Sequence, residues 1–384
     1  MRWFTFANWE SGVPRSHQPM SSSVKSFILL DIILFGDKTM KPKTFLVTLF
    51  IATILITSCR FSRPNVRGGN PTGEPNPPTS APSVAPELQI QTLQFSIGRN
   101  DYVLDVDGTP REFIVYVPVG YDPNVPTPVV YMIHGSNQSG QIMYENTHWA
   151  RKADEETIII VYPTSWKYRT TEANRVEDKW NTPGTEQIVV PGTELEDDVK
   201  FMRTILDSLK ATFNIDDKRI FASGFSNGGG FVLTRLIPQM NDVFAAYSTA
   251  GSGLIGEGTV GDVPVQVSVS LYSILGTNDN KISEGQGIPV PFPLDAEEII
   301  NHPNFGLMLE KTATFLALDA SHTVESDPNF TRLIYSTSLT GANNEYIFLM
   351  LKGLFHVYPD GADNRAKIDA VDLFWDFFLN HSKP

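Results

Sequence analysis

One pentapeptide restricts the fold of this chain more than any other feature. Gly224, Ser226 and Gly228 form a G-x-S-x-G motif, with the apolar run "RIFAS" before it and the helical pattern "FVLTRLI" after it. On a sharp strand-to-helix turn the serine has a strained backbone, and the residues two before and two after it lie too close for side chains. The motif therefore predicts that Ser226 is a nucleophile presented at the end of a buried strand.

The segments around this motif alternate between strand and helix patterns. The runs "TPVVYMIHG" and "TIIIVYP" are typical of strands buried on both faces. Residues 139–154 and 195–213 each predict one helix, and Asp107-Gly108 indicates a hairpin between two further strands. We therefore expect one α/β domain over residues 89–384, with a mostly parallel sheet and helices on both faces.

A serine hydroxyl becomes an effective nucleophile when a histidine takes its proton and an acid orients that histidine. On α/β folds with this elbow, the chain order is serine, acid, histidine. Four histidines follow Ser226, and His356 lies in a turn directly after the strand pattern "EYIFLMLKG". His302 and His322 lie in less regular stretches, and His381 lies in the terminal tail. His356 is therefore the predicted base.

The acid is expected in the loop after an earlier strand. Asp279 follows the strand pattern "LYSILG" by three residues, within the turn-forming segment "TNDN". Asp319 and Asp327 are competitors, but neither follows an obvious strand. Asp279 is therefore the predicted orienting acid.

Two backbone N–H groups are expected to form an oxyanion hole. The first belongs to Asn227, directly after the nucleophile, and the second comes from a loop after an early strand. The segment "MIHGSN" fits that loop, and we assign its donor to Ser136. His134 is expected to hold the loop rather than act as a base. Such a mechanism needs no cofactor or metal.

The N-terminal part of the chain resembles a bacterial lipoprotein precursor. Residues 40–58 contain a basic start and an apolar core of signal-peptide length, and they precede Cys59, the single cysteine of the chain. We expect lipidation at Cys59 and a flexible Pro-rich tether over residues 59–88. Residues 1–39 precede the expected start at Met40 and are predicted to be absent from the natural protein. The expected location is the bacterial cell envelope, or outside the cell.

The overall charge argues against one class of partner. The chain has 30 Lys and Arg against 43 Asp and Glu, which gives a formal net charge of −13. Binding to nucleic acid requires clustered basic residues that neutralise phosphates. We therefore expect a membrane partner, reached through the lipid anchor, and no nucleic acid.

The motifs "VVYMIHG", "GFSNGGG", "ILGTND" and "LFHVYP" together resemble the polyhydroxybutyrate depolymerase-like esterases, which are close to feruloyl and acetylxylan esterases. This resemblance covers about residues 95–384. It implies an α/β-hydrolase fold and a serine esterase that acts through an acyl-enzyme. Asp197 and Asp198 in "ELEDDVKFM" also resemble that family, and we interpret them as charges at a helix N-terminus.

Two features bear on the substrate. Tyr358 stands where members of the family often have tryptophan. Residues 165–194 form an insertion in which Trp166, Tyr168 and Trp180 could stack on a sugar or aryl ring, or pack as ordinary semi-buried aromatics. Trp166, Trp180 and Tyr358 are the candidate substrate-binding residues. Two other functions stay open, a glycan-binding surface lipoprotein without catalysis and a serine peptidase of the same fold.

Overall fold

A computed structural model of the chain describes residues 91–171, 173–252 and 267–384. The predicted N-terminal extension, signal peptide and tether, together with the lipidation of Cys59, lie outside the described residues and stay predictions.

A ten-stranded sheet forms the centre of the described region, in the order β1-β2-β4-β3-β7-β8-β9-β12-β11-β10. Its strands are β1 (Gly98–Val106), β2 (Thr109–Val117), β3 (Thr127–Ile133), β4 (Ile159–Pro163), β7 (Ile215–Phe225), β8 (Ala246–Ala250), β9 (Ser270–Gly276), β10 (Thr323–Asp327), β11 (Phe330–Tyr335) and β12 (Tyr346–Leu351). The central strands β4, β3, β7, β8, β9 and β12 run parallel, and antiparallel strands close both edges. A separate hairpin joins β5 (Trp166–Arg169) to β6 (Val176–Lys179).

The helices lie between these strands along the chain. They are α1 (Gly140–Asn146), α2 (Trp149–Glu156), α3 (Thr185–Ile188), α4 (Asp198–Thr212), α5 (Asn227–Phe231), α6 (Ile237–Met240), α7 (Asn280–Gln286), α8 (Ala296–Asn301), α9 (Pro303–Phe315) and α10 (Ala370–Leu379), with a π-helical turn at Val232–Leu236. The single helix expected over residues 139–154 is instead two, because the chain is extended at Thr147, which ends α1. Within the described residues, no helix combines the length and apolar character needed to span a membrane.

Both faces of the sheet are covered, as the continuous apolar strands predicted. Along β3, the side chains of Val129, Tyr131 and Ile133 join one core, and those of Val130 and Met132 join the other. The first core contains residues of α4 and α9, and the second contains residues of α2 and α10. The α/β-hydrolase fold predicted from the sequence is therefore confirmed.

The two acidic residues that begin α4 differ in their environments. Asp197 caps the helix by accepting a hydrogen bond from the Lys200 N–H at 2.9 Å, as expected. Asp198 is instead buried and pairs with the buried guanidinium of Arg111 at 2.6 Å. Burial raises the pKa of Asp198, and the Arg111 charge opposes that rise. This ion pair ties α4 to β2, so Asp198 is more than a charge at a helix terminus.

Candidate active site

Ser226 lies at a strained turn between the central strand β7 and helix α5. Its backbone has φ 52° and ψ −121°, a conformation that costs a non-glycine residue about 1–3 kcal/mol. A side chain on Gly224 would lie 2.5 Å from the Gly228 carbonyl oxygen, and one on Gly228 would overlap the carbonyl oxygens of Ile133 and His134. The predicted elbow therefore exists, and its two outer glycines allow α5 to approach both β7 and the end of β3.

The structure brings Ser226, His356 and Asp279 together. The Ser226 Oγ lies 2.8 Å from Nε2 of His356, and Nδ1 of the same ring lies 2.9 Å from each carboxylate oxygen of Asp279. Since an ionised carboxylate only accepts hydrogen bonds, Nδ1 carries the proton and Nε2 is free to accept one from the serine. This is the arrangement in which a histidine acts as a general base.

Asp279 has a second role at the end of a helix. Its Oδ1 accepts hydrogen bonds from the N–H groups of Lys281 and Ile282, so it caps α7 as well as contacting His356. Its side chain is 1% exposed, whereas that of His356 is 16% exposed. The acid is therefore buried and fixed by the start of α7, whereas the side chain of the histidine is partly exposed. Asp319 and Asp327, the competing candidates, are exposed and bond to their own turns.

The loop after β3 lies directly over the nucleophile. A side chain on Gly135 would lie 3.0 Å from Cβ of Ser226. Within the described residues, the backbone N–H groups of Ser136 and Asn227 donate to no protein acceptor. These two N–H groups, one in the loop and one at the start of α5, are therefore available to an oxyanion formed at Ser226.

His134 holds this loop, as expected from the sequence. Its Nδ1–H donates to the Gly135 carbonyl oxygen at 2.7 Å, and its Nε2 accepts from the Ser165 N–H at 2.9 Å. Burial lowers the pKa of His134 to about 4, against the raising effect of the bond to Gly135. The imidazole is therefore neutral at ordinary pH, and it joins the loop to the chain that follows β4.

Two of the three candidate substrate-binding residues were predicted wrongly. Trp180 is fully buried and stacks on Phe231, with ring centroids 5.2 Å apart. Tyr358 is 9% exposed, and its hydroxyl lies 3.0 Å from the Trp149 indole nitrogen and 3.1 Å from the Ser223 hydroxyl. Both rings fill the cores beside the site, so neither offers a free face to a substrate. Tyr168 is buried too.

Trp166 is half-buried and stays a candidate. It lines a cavity of about 310 Å³ together with Arg111, Ser165 and Lys167. Because Ser165 is the residue that bonds to His134, this cavity adjoins the chain segment that supports the oxyanion loop.

Two apolar side chains beside the histidine were not singled out from the sequence. Phe355 and Val357 flank His356 and are 58% and 39% exposed. These two residues place exposed apolar surface on both sides of the candidate base. The available sequence signal was the apolar residue on each side of His356, but ordinary strands show the same alternation of apolar and polar residues.

The fold and this constellation define an α/β-hydrolase with a Ser-His-Asp arrangement. Among the described residues, no group of three or more His, Cys, Asp or Glu side chains is placed to hold a metal ion. Residues 106–254 match the esterase family model whose description is "Putative esterase". The matched segment includes Ser136, Ser226 and Asn227, and it ends before Asp279 and His356.

Two curated proteins and one solved structure illustrate the likeness. The chain is 29% identical over 187 residues to a bifunctional acetylxylan esterase/xylanase of Neocallimastix patriciarum, covering 49% of this chain and 24% of that protein. It is 26% identical over 138 residues to poly(3-hydroxyalkanoate) depolymerase C of Paucimonas lemoignei, covering 36% of this chain and 30% of that protein. The poly(3-hydroxybutyrate) depolymerase LpqC of Bordetella parapertussis aligns with a TM-score of 0.45 and 17% identity, over 73% of this chain and 90% of that one.

The family match and the curated relatives confirm the resemblance to esterases that was drawn from the motifs. The chain spans only about a quarter to a third of the length of these two curated relatives. The α/β-hydrolase fold is assigned from this chain's own strand order and elbow.

The neutral state of His134 predicts a dependence of stability on pH. Its pKa is about 4 when folded, against a reference value of 6.5, so below pH 6.5 only the unfolded chain takes up this proton. We expect the contribution of His134 to be complete above pH 6.5 and to fall by up to about 3 kcal/mol as the pH drops to 4. Urea unfolding of wild type and His134→Gln at pH 7, 5 and 4 measures it. A difference between the two proteins that stays constant over this range contradicts the prediction.

Proposed function

We propose that this protein is a serine esterase that hydrolyses carboxylic esters through an acyl-enzyme. The single observation that carries the proposal is the continuous hydrogen-bonded chain from Ser226 through His356 to Asp279, with both bonds between 2.8 and 2.9 Å. The likeness to an acetylxylan esterase and a polyhydroxyalkanoate depolymerase supports esters as the substrate class.

In the first half of the reaction, the Ser226 Oγ attacks the ester carbonyl carbon and gives its proton to Nε2 of His356. The carbonyl oxygen becomes an oxyanion that accepts hydrogen bonds from the N–H groups of Asn227 and Ser136. Asp279 stabilises the imidazolium through Nδ1–H. When the tetrahedral intermediate collapses, the bond to the alcohol oxygen breaks and His356 returns the proton to the leaving alcohol.

In the second half, water replaces the alcohol. His356 takes a proton from water, the resulting hydroxide attacks the acyl carbon, and the bond to the Ser226 Oγ breaks. The proton on Nε2 then returns to Ser226, and the acid is released. The strained backbone of Ser226 keeps its hydroxyl at the sheet edge throughout, so no large rearrangement of the nucleophile is required.

The finer proposal concerns the ester. Phe355 and Val357 offer apolar surface beside His356, and Trp166 borders a cavity that Lys167 and Arg111 also line. These surroundings support esters that have an apolar or aryl acyl group, or a hydroxyalkanoate unit, on a larger polar body such as a polysaccharide. We further propose that the enzyme is tethered to the bacterial cell envelope through Cys59, or is secreted.

Replacement of the nucleophile tests the proposed reaction. Ser226→Ala removes the attacking oxygen and should lower kcat for p-nitrophenyl acetate by at least about 10⁴-fold. Ser223→Ala is the matched control, because it removes a buried hydroxyl from the same strand, and it should retain activity within a few-fold. Activity of Ser226→Ala within about tenfold of wild type would mean that another residue is the nucleophile.

The same measurements separate the alternative functions. A wild type that turns over no ester but binds glycans would be a binding protein. Faster cleavage of peptides than of esters would indicate a peptidase.

Substitution of Trp166 tests the substrate class. If its ring stacks on a large substrate, Trp166→Ala should raise KM for feruloylated or acetylated xylo-oligosaccharides by about two- to tenfold. Kinetics with p-nitrophenyl acetate should not change, because this ester has no saccharide part on which the ring could stack. Phe95→Ala removes an aromatic ring near the start of β1 and should alter neither value. Equal KM values for Trp166→Ala and wild type on every large ester would remove Trp166 from the substrate site.

The proposed anchor has a direct test in cells. Cys59→Ser should move the protein from the membrane fraction to the soluble fraction while leaving hydrolysis of a soluble ester unchanged, because the thiol is the expected attachment site. Ser58→Ala keeps the cysteine behind a small residue and should stay in the membrane fraction. A wild type that is fully soluble and has no lipid mass at Cys59 would rule out the anchor.

A further inference from the structure

Three consecutive residues contact both parts of the proposed oxyanion hole. These parts are the loop that contains Ser136 and the start of α5 at Asn227, and we call them its two walls. On the loop after β3, the Asp178 carbonyl oxygen accepts from the Asn137 N–H at 2.9 Å. Lys179 Nζ donates to the Ser136 Oγ at 3.2 Å. We call residues 178–180, which end β6 and continue beyond it, the strap.

Trp180 is the member of the strap that reaches both walls. Its indole Nε1–H donates to the His134 carbonyl oxygen at 2.8 Å. Its backbone N–H donates to the side-chain oxygen of Asn227 at 2.9 Å. One residue therefore binds the loop that contains Ser136 and, independently, the residue that supplies the other oxyanion donor.

The environment of Trp180 makes these contacts rigid. Trp180 and His134 are both fully buried, and the two rings lie 5.0 Å apart. The indole also stacks on Phe231, the last residue of α5, at an interplanar angle of 19°. The indole ring is buried and stacked, and the indole N–H and the backbone N–H of Trp180 are both bonded. The residue therefore has one position, and the distance between the groups that it binds is fixed as well.

We propose that the strap sets the spacing of the two oxyanion donors, and that Trp180 is its principal positioning residue. This inference rests on the proposed esterase function. Trp180 touches neither substrate nor reacting atoms. It acts through His134 and Asn227, and this role explains why a buried tryptophan stands in the insertion where a substrate-stacking ring was expected.

The two oxyanion donors need such contacts because of the elements in which they lie. Asn227 is the first residue of a helical segment that directly follows a strained serine, and Ser136 lies in a loop outside any strand. The N–H of a first helical residue has no partner within the helix, and a loop has few contacts of its own, so neither donor is fixed by regular backbone bonding. Donors aimed at an oxyanion are effective only when they are fixed before the charge forms. Contacts that hold both donors therefore act on the transition state more than on the bound ester.

The experiment compares three variants by kcat and KM for p-nitrophenyl acetate and by Ki for a trifluoromethyl ketone, which forms an oxyanion on the serine. Trp180→Phe keeps the ring but loses the bond to His134, and Asn227→Ala keeps the backbone donor but loses the bond to Trp180. Lys179→Met removes the bond to Ser136. Trp149→Phe is the matched control, since Trp149 is fully buried in the other core and its Nε1–H also donates one hydrogen bond.

We expect Trp180→Phe and Asn227→Ala each to lower kcat by about tenfold or more, with KM within about threefold of wild type. Ki for the ketone should weaken by a similar factor. The double variant should lose less than the product of the single losses, because both bonds hold one unit. Trp149→Phe should lose thermal stability to a comparable extent but keep kcat and Ki.

A purely structural role gives a different result. If Trp180→Phe and Asn227→Ala lower the melting temperature but keep kcat and Ki within about twofold of wild type, the proposal is wrong. If Trp180→Phe does not fold, Asn227→Ala and Lys179→Met decide by the same values. A wild type without ester turnover overturns the esterase function and the strap's role together, whereas an active wild type with unaffected variants overturns the strap alone.

Discussion

The strained backbone of Ser226 is the constraint on which the rest of the site depends. The serine stays in this conformation because both of its sides are held: its N–H donates to the Ala250 carbonyl oxygen of β8, and its carbonyl oxygen accepts from the Gly230 N–H, both at 2.9 Å. The neighbouring strands are fully buried, so the sheet cannot relax around the turn. The cost of about 1–3 kcal/mol is thus met by the packing of the central sheet, and the proposed nucleophile is held in place without a bound substrate.

The same principle extends to the acid and the base. Asp279 caps α7 while it accepts from His356, and Phe225 packs against the imidazole with ring centroids 5.1 Å apart. The carboxylate is therefore oriented by a helix end that exists without substrate, and the histidine by a residue of the elbow itself. Strands β7, β9 and β12 run parallel and end at one edge, and this geometry gathers three residues that are far apart in the chain.

The sequence predicted the parts of this site that local chemistry determines. The elbow glycines, the loop at His134, and the order of Ser226, Asp279 and His356 follow from motifs that each occupy a few residues. Burial of aromatic side chains does not follow in this way. Trp180 occurs in a polar insertion and was expected at a substrate rim, yet its partners lie 46 and 47 residues away in the chain. The prediction of a single helix over residues 139–154 failed for another reason. The break between α1 and α2 has no proline or glycine that would mark it in the sequence.

These observations separate the site into a rigid centre and a rim. The centre consists of bonds that close on the protein itself: Ser226 to β8, Asp279 to α7, and Trp180 to both walls of the oxyanion hole. In the proposed reaction this centre attacks the carbonyl carbon, and it contains nothing that would distinguish one ester from another. Discrimination must therefore come from groups that face solvent, and Phe355, Val357 and Trp166 are such groups. The apolar side chains of Phe355 and Val357 make no hydrogen bonds, so we expect that they can change without disturbing the centre. Trp166 differs from them, because its backbone pairs with Lys179 of the strap across the β5–β6 hairpin.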